Sequence, residues 1–351
     1  MSRTERILEG VTKDMRGIEV APWFAPLAPK RQGFNCLTLD IFDRETLIQR
    51  AKADPNIPRD GADAIEAVDL VGNASEIEAL VPARDHGAFD YVVSSHNFEH
   101  LPNPIKFLQG CSRVLKPGGL LSMAVPDGRA CFDFFRPHTT VGDWLLAYRD
   151  ARIKPSADQL FQSRAYRSAL RNDGKDLYAF SIQDDPARVT MTGDLDEAYR
   201  AWLSTTEADP YVDAHCSVMT PASFELLIEE CRHLGLTSFA CVSVSEPVGC
   251  EFYVRLVNKA EASSSGDFNA IRTGLAHRIW SERAAAAVNA ADRTAPSPGR
   301  IAKPEAGVKV ALSTSANKLD RRPEPSFRKK LSLRYIHPLK KRIDEFRESI
   351  G

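Results

Sequence analysis

The sequence has no long apolar run, and none of its segments approaches the roughly 20 apolar residues that a membrane-spanning helix needs. Residues 1–10 contain no apolar stretch of the signal-peptide type. The chain also lacks any C-x-x-C pair, and its seven cysteines are scattered, mostly inside apolar segments. These absences argue against a membrane-spanning protein, a disulfide framework and a cysteine metal site, and they predict a soluble, cytoplasmic protein.

The sequence also has no excess of either positive or negative charge. The formal net charge is −1, so the chain as a whole has no general attraction for nucleic acid, although its last 25 residues are distinctly basic. With 351 residues, 43% of them hydrophobic, the chain is long enough to form one large core with appendages.

The most informative segment runs from Phe89 to Pro126. It begins with a β-rich run at Tyr91–Ser94 and continues with a helical apolar pattern at 105–115. Lys116-Pro-Gly-Gly then ends the helix before a second β-rich run at 120–125. This pattern predicts two buried parallel strands joined by a helix. Ligands of such sheets bind beyond the carboxyl ends of the strands.

Two further strands are predicted upstream, at Arg16–Pro22 and Asn35–Asp40. Glu19 precedes Asp40 by 21 residues. That separation is close to the spacing of about 20 at which doubly wound nucleotide folds place a ribose-binding carboxylate. The spacing therefore predicts that Asp40 binds a ribose.

The end of the predicted domain distinguishes two kinds of nucleotide fold. After a predicted helix at 220–236, two β-rich runs at 239–244 and 252–257 are joined by a short, turn-rich connection. A parallel strand there would need a crossover of about a dozen residues. The segment therefore predicts an antiparallel hairpin, which an all-parallel dehydrogenase sheet would lack.

Together these segments resemble class I S-adenosylmethionine-dependent methyltransferases. The resemblance implies an α/β fold: a doubly wound, Rossmann-like methyltransferase sheet, mostly parallel with one antiparallel strand, plus a helical insertion. It also implies S-adenosylmethionine as the cofactor. In this interpretation Asn73, after a third strand at 67–71, contacts the adenine, and Ser95 and His96 flank the sulfonium. The full set of implied cofactor-binding residues is Glu19, Ala21, Pro22, Asp40, Asn73, Ala74, Ser95 and His96. Asn73 is nearly as well explained as a turn residue.

The first turn departs from the family pattern. Relatives usually have several glycines there, whereas Glu19-Val-Ala-Pro-Trp-Phe-Ala25 has none. Glycine permits positive φ and a close approach of the backbone to a ligand, while proline stiffens the chain. A non-catalytic module of methyltransferase fold that binds no cofactor is therefore the alternative function.

His96-Asn-Phe-Glu-His100 also matches the H-x-x-E-H motif of inverted zinc peptidases. That chemistry needs both histidines on one helix, and Pro102 and Pro104 leave little room for it. Some similar methyltransferases use an acid, a glutamate and a histidine at this spacing to hold a divalent ion. Pairing of Glu99 and His100 with the backbone explains the motif more simply, and we assign no metal here.

An insertion at 129–216 is too long to be a loop. Its aromatic residues follow the spacing of at least two amphipathic helices, which we interpret as a substrate-binding cap above the crevice. His215 lies just before the helix that opens at Thr220. Because histidine titrates near neutral pH, His100 and His215 are the candidate catalytic bases.

The predicted methyltransferase domain is 1–259, with its insertion at 129–216. A linker and an exposed helix are predicted at 260–293, a disordered linker at 294–326 and a basic arm at 327–351. The arm has interleaved apolar residues and predicts an anionic partner or a solvated tail. The predicted reaction is methyl transfer to an oxygen or nitrogen of a small molecule or glycan.

Overall fold

A computed structural model describes residues 1–259, except 56, 59 and 207, together with residues 267–294. In the last segment side chains are described as far as residue 284. Most of the predicted linkers and the basic arm at 327–351 therefore lie outside the described residues.

The domain is built on a seven-stranded sheet with the order β3-β2-β1-β4-β5-β10-β9. Neighbouring strands from β3 to β5 are parallel, while β10 is antiparallel to both β5 and β9. The predicted doubly wound sheet with a closing hairpin is therefore confirmed. The strands are β1 (Arg16–Val20), β2 (Asn35–Asp40), β3 (Leu70–Val71), β4 (Phe89–Ser95), β5 (Leu115–Pro126), β6 (Ser168–Asn172), β7 (Lys175–Leu177), β8 (Val189–Met191), β9 (Phe239–Val244) and β10 (Glu251–Asn258).

Nine helices are described: α1 (Arg3–Ile7), α2 (Arg44–Ala53), α3 (Ile77–Leu80), α4 (Pro104–Val114), α5 (Val141–Arg149), α6 (Ala157–Ala165), α7 (Leu195–Ser204), α8 (Pro221–His233) and α9 (Phe268–Thr294). No described helix combines the length and apolarity that crossing a membrane requires. α4 begins where Asn103 accepts a hydrogen bond from the Lys106 amide, with Pro104 in its first turn.

The main core lies between the sheet and helices α4 and α8. Ile18, Val92 and Leu121 project from three adjacent strands and are completely buried there. The opposite face is covered by α1 and by the chain around Leu27. Burial on both faces explains why the parallel strands read as nearly continuous apolar runs.

The insertion between β5 and α8 contains α5, α6 and α7. It also contains a three-stranded antiparallel sheet, β7-β6-β8, which the sequence analysis did not predict. These strands are only three to five residues long, and β7 and β8 are largely exposed. Short strands with little burial show only a weak alternation of apolar and polar residues. The helical spacing of the aromatic residues is the stronger pattern in the insertion.

Helix α9 packs along α8. Arg272 and Arg278 form ion pairs with Glu230 (2.6 Å) and Glu225 (2.7 Å), and Leu275 is only 5% exposed. The sequence predicts an exposed helix here, but these contacts attach one face of α9 to the domain.

Candidate cofactor and acceptor sites

A narrow cleft lies at the carboxyl ends of β1, β2 and β3. Four of the predicted cofactor residues border it together: Ala21, Asp40, Asn73 and Ala74. The Asp40 side chain is buried and accepts a hydrogen bond from the Phe42 amide (3.1 Å). Burial raises the pKa of Asp40, although hydrogen bonds from the backbone oppose this effect. The cleft volume is about 70 Å³.

The glycine-free turn after β1 adopts the backbone conformation that glycine usually provides. Ala21 has φ of 52° and Trp23 has φ of 44°. Both values lie in the left-handed region, which costs an L-residue roughly 1–2 kcal/mol. A hydrogen bond from the Ala21 amide to the Leu39 carbonyl (2.8 Å) ties the turn to β2. The turn thus departs from the family in sequence but keeps a left-handed backbone.

Glu19 and Pro22 do not border this cleft among the described residues. The Glu19 carboxylate is buried and accepts hydrogen bonds from the amides of Leu27 (2.6 Å) and Ala28 (2.9 Å). Burial raises its pKa to about 7 in spite of those bonds. Glu19 therefore folds the loop after β1 back onto the sheet, whereas the family resemblance implied that it binds the cofactor.

Asn73 connects the cleft to the insertion. Its side-chain oxygen accepts from the Ser75 amide (2.9 Å), and its amide nitrogen donates to the Ile153 carbonyl (2.9 Å). The turn role that we considered is thus present, and the residue borders the cleft as well.

Ser95 and His96 belong to a polar cluster centred on Glu251, at the first residue of β10. His96 Nε2 lies 2.7 Å from Glu251, Tyr253 donates to the same carboxylate (2.8 Å), and Arg3 binds both Glu251 and Ser95. Burial alone would raise the pKa of Glu251, but the hydrogen bonds from His96, Arg3 and Tyr253 hold it at about 2. Sequence reasoning missed Glu251, because a single glutamate at a strand start carries no motif.

A larger cavity, about 450 Å³, lies between the sheet and the insertion. The two candidate bases, His100 and His215, both line it, and their rings lie 4.7 Å apart. His100 Nδ1 is 2.9 Å from Asp213, and His215 Nδ1 is 2.5 Å from Asp133. Burial lowers the pKa of His100, but the hydrogen bond to Asp213 and the charge of Glu99 outweigh this effect and raise it.

Glu99 lies behind the two histidines. Its main-chain carbonyl accepts from the amides of Cys216 (2.6 Å) and Ser217 (3.0 Å), which holds His215 in place. Its carboxylate is buried, and neither oxygen has a hydrogen-bond partner among the described residues. The His96–His100 segment leaves β4 and forms a single 3-10 turn, Phe98–His100, so it lacks the helix that an inverted zinc peptidase needs.

Comparison with known proteins finds similarity over the first part of the sheet. Residues 21–123 match the family described as methyltransferase domain. The similarity to that family covers the segment from the turn after β1 into β5. A ubiquinone biosynthesis O-methyltransferase of Maricaulis maris is 30% identical to it over 96 residues, which are 27% of this chain and 37% of that protein. The chain thus spans about a third of the length of that curated relative.

Solved structures resemble the chain only weakly. A methyltransferase from Aquifex aeolicus is 13% identical, with a TM-score of 0.35, and the match covers 73% of this chain and 89% of that one. A methyltransferase from Mesorhizobium loti is 12% identical, with a TM-score of 0.36, covering 72% and 97%. A structure described as a putative Zn-dependent alcohol dehydrogenase from Rhodobacter sphaeroides is 12% identical, with a TM-score of 0.39, covering 73% and 89%. Scores this low carry no argument.

The groups that border the cleft match the chemistry of S-adenosylmethionine, the cofactor of this methyltransferase family. A buried carboxylate at the end of β2 matches a ribose diol, and the left-handed turn brings the backbone of Ala21 to the cleft. The volume is below the roughly 300–1,000 Å³ of typical ligand pockets.

Proposed function

We propose that this protein transfers the methyl group of S-adenosylmethionine to an oxygen or nitrogen of a small-molecule or glycan acceptor. One observation carries the proposal: His100 borders both the cofactor cleft and the larger cavity. Methyl transfer requires donor and acceptor to meet in line, so the two binding sites must share a wall.

In this proposal Asp40 holds the ribose hydroxyls, Asn73 and Ala74 border the adenine, and the backbone at Ala21 approaches the methionine moiety. The bound cofactor supplies an electrophilic methyl carbon. The contribution of the chain is to fix the positions of both reactants and to exclude water, and positioning of this kind accounts for several kcal/mol of barrier lowering.

The acceptor binds in the larger cavity, with its reacting atom beside His100 and His215. We propose that one of these two side chains accepts the proton that the acceptor loses. Arg164 and Arg167 line the same cavity together with Asp194 and Glu197, so its wall offers both donors and acceptors of hydrogen bonds. A polyhydroxylated or otherwise polar acceptor suits this lining better than an apolar one.

Oxygen is the acceptor atom that we favour. The Maricaulis relative is described as an O-methyltransferase, and its 30% identity supports an oxygen acceptor here.

The alternative is a methyltransferase fold that binds no cofactor. The small volume of the cleft, about 70 Å³, is the observation that favours it. Calorimetry with S-adenosylmethionine and its demethylated product separates the two proposals, because a non-catalytic scaffold would bind neither ligand.

Replacement of Asp40 tests the site itself. Asp40→Ala should weaken cofactor binding by about 1.5–3 kcal/mol, the range for a hydrogen bond to a charged group. Asp63→Ala, which changes an exposed carboxylate, is the matched control and should bind like the wild type. Equal affinities for the Asp40 variant and the wild type would remove Asp40 from the cofactor site.

A further inference from the structure

We propose that Glu99, His100 and His215 bind a divalent transition-metal ion at the wall of the acceptor cavity. One ligand atom from each of the three lies within 4.8 Å of the others. The sequence analysis assigned no metal and considered only the H-x-x-E-H segment. The structure instead brings in His215 from the end of the insertion and turns His96 toward Glu251.

The buried Glu99 carboxylate is the first argument. It is 1% exposed, and neither oxygen has a hydrogen-bond partner among the described residues. A buried ionised group without partners costs several kcal/mol, so such groups are normally paired or bound to a metal. The nearest nitrogens are His96 Nδ1 and His100 Nε2, each at 3.7 Å, and His215 Nε2 at 3.9 Å, and all three are too far away for direct hydrogen bonds. Two ligands each about 2.0–2.2 Å from a tetrahedral ion lie roughly 3.4 Å apart, so small shifts would complete the site.

The orientation of the imidazoles is the second argument. Each Nδ1 is hydrogen-bonded to a carboxylate, His100 to Asp213 and His215 to Asp133. Each Nε2 therefore faces Glu99 with a lone pair available for an ion. Carboxylates that fix the tautomer of a ligating histidine are typical of metal sites. Arg136, which is 3% exposed, in turn holds Asp133 at 2.7 Å.

A second cluster, Cys131, Asp133 and His215, also places three ligand atoms close together. It is a poorer site, because Arg136 and His215 already occupy Asp133 and because complete burial raises the pKa of the Cys131 thiol. Metals bind the thiolate, which that environment disfavours.

Three protein ligands leave at least one coordination position open, as in catalytic metal sites. His100 and His215 both line the cavity of about 450 Å³, so the open position faces the acceptor. Two imidazoles and one carboxylate suit Zn²⁺, Mn²⁺ or Fe²⁺ better than Mg²⁺, which prefers oxygen ligands. An acceptor hydroxyl on the ion would lose its proton more readily, to a water molecule in the cavity, and the histidines would then act as ligands rather than as bases. This last role rests on the proposed function, while ion binding does not.

The test is calorimetric titration of the chelator-treated full chain with ZnCl₂ and with MnCl₂, without cofactor. The wild type should bind one ion. Glu99→Gln and His215→Ala should weaken binding at least 100-fold, and Asp133→Asn should weaken it 10- to 100-fold through the orientation of His215. His277→Ala, which removes an exposed histidine of α9, is the matched control and should keep wild-type affinity. A wild type that binds no ion, or a His277 variant that loses the ion while the His215 variant keeps it, would overturn the assignment.

Thermal unfolding of the metal-free protein guards against variants that merely fail to fold. If Glu99 is an unpaired metal ligand, Glu99→Gln should unfold at the wild-type temperature or above, because it removes a buried charge. Added Zn²⁺ should raise the unfolding temperature of the wild type and leave that of the variant unchanged. A metal-free variant that unfolds well below the wild type would show instead that Glu99 pairs with protonated histidines. Cofactor calorimetry in the presence of chelator tests the methyltransferase proposal separately, since it measures cofactor binding with no ion present.

Discussion

The two halves of the site are held together in different ways. In the cofactor half, side chains bond mainly to backbone close by in sequence, Asp40 to Phe42 and Asn73 to Ser75, while Asn73 also donates to the carbonyl of Ile153 in the insertion. In the acceptor half, the partners are far apart in sequence. His100 and Asp213 are separated by 113 residues, and His215 and Asp133 by 82. Local turn chemistry therefore shapes the first half, whereas the second exists only when the insertion is folded against the core.

The strongest test of this difference is removal of Trp144, which joins the insertion to the core. It is 2% exposed, donates to Ser217 (3.0 Å) and packs edge-on against Phe98 at 5.6 Å. Trp144→Ala should lower the free energy of unfolding by about 3–5 kcal/mol, the usual cost of removing a large core aromatic residue. Urea unfolding measures this change.

Leu145→Ala is the matched control, because the neighbouring side chain is 37% exposed. It should change stability by less than about 1 kcal/mol. Equal effects of the two substitutions would mean that the insertion does not depend on this contact with the core.

A smaller effect is expected at Glu251, the first residue of β10. Glu251→Gln should cost about 2 kcal/mol at pH 7, because it weakens hydrogen bonds from Arg3, His96 and Tyr253 to a charged acceptor. Since the pKa of Glu251 falls from its usual 4.5 to about 2, its contribution is complete above pH 4.5 and is lost as the pH falls toward 2.

Urea midpoints measured between pH 7 and pH 3 give the stability difference between wild type and Glu251→Gln. That difference should stay constant down to about pH 5 and shrink below it. A difference that does not change with pH would contradict the ionised cluster.

The smallest effect is expected at the first turn. Ala21→Gly removes the strain of an L-residue in the left-handed region, which costs roughly 1–2 kcal/mol. It also raises the backbone entropy of the unfolded chain, which lowers stability by roughly 0.5–1 kcal/mol. The net result should be a stabilisation of about 0.5 kcal/mol, with cofactor affinity kept or improved. Ala25→Gly, in the same loop but without positive φ, should destabilise instead. If both variants are destabilised alike, the turn is not strained at Ala21.

The contrast between the halves also explains what the sequence could predict. The strands at Asn35–Asp40 and Phe239–Val244 have the bounds that their patterns indicated. Ala21, Asp40, Asn73 and Ala74 meet because the carboxyl ends of parallel strands share one edge of a sheet. The strand order alone therefore brings these four residues together.

Tertiary pairing is what the sequence could not show. Asp133 and Glu251 lie in segments without periodicity or motif, and their partners are distant along the chain. The family resemblance placed Glu19 among the cofactor-binding residues, because its bonds to Leu27 and Ala28 cannot be read from the sequence. The small sheet of the insertion was missed because its exposed strands carry little alternation.

The fluorescence of Trp144 also reports on the insertion in solution. Its indole is shielded, whereas those of Trp202 and Trp280 are 40% and 76% exposed. Emission from a shielded indole lies at shorter wavelength and resists dissolved quenchers, so iodide should extinguish the exposed tryptophans first. The remaining signal comes from Trp144 and from the half-buried Trp23 in the turn after β1. In a Trp23→Phe background it reports on the contact between insertion and core, and its red shift during unfolding marks the loss of the acceptor cavity.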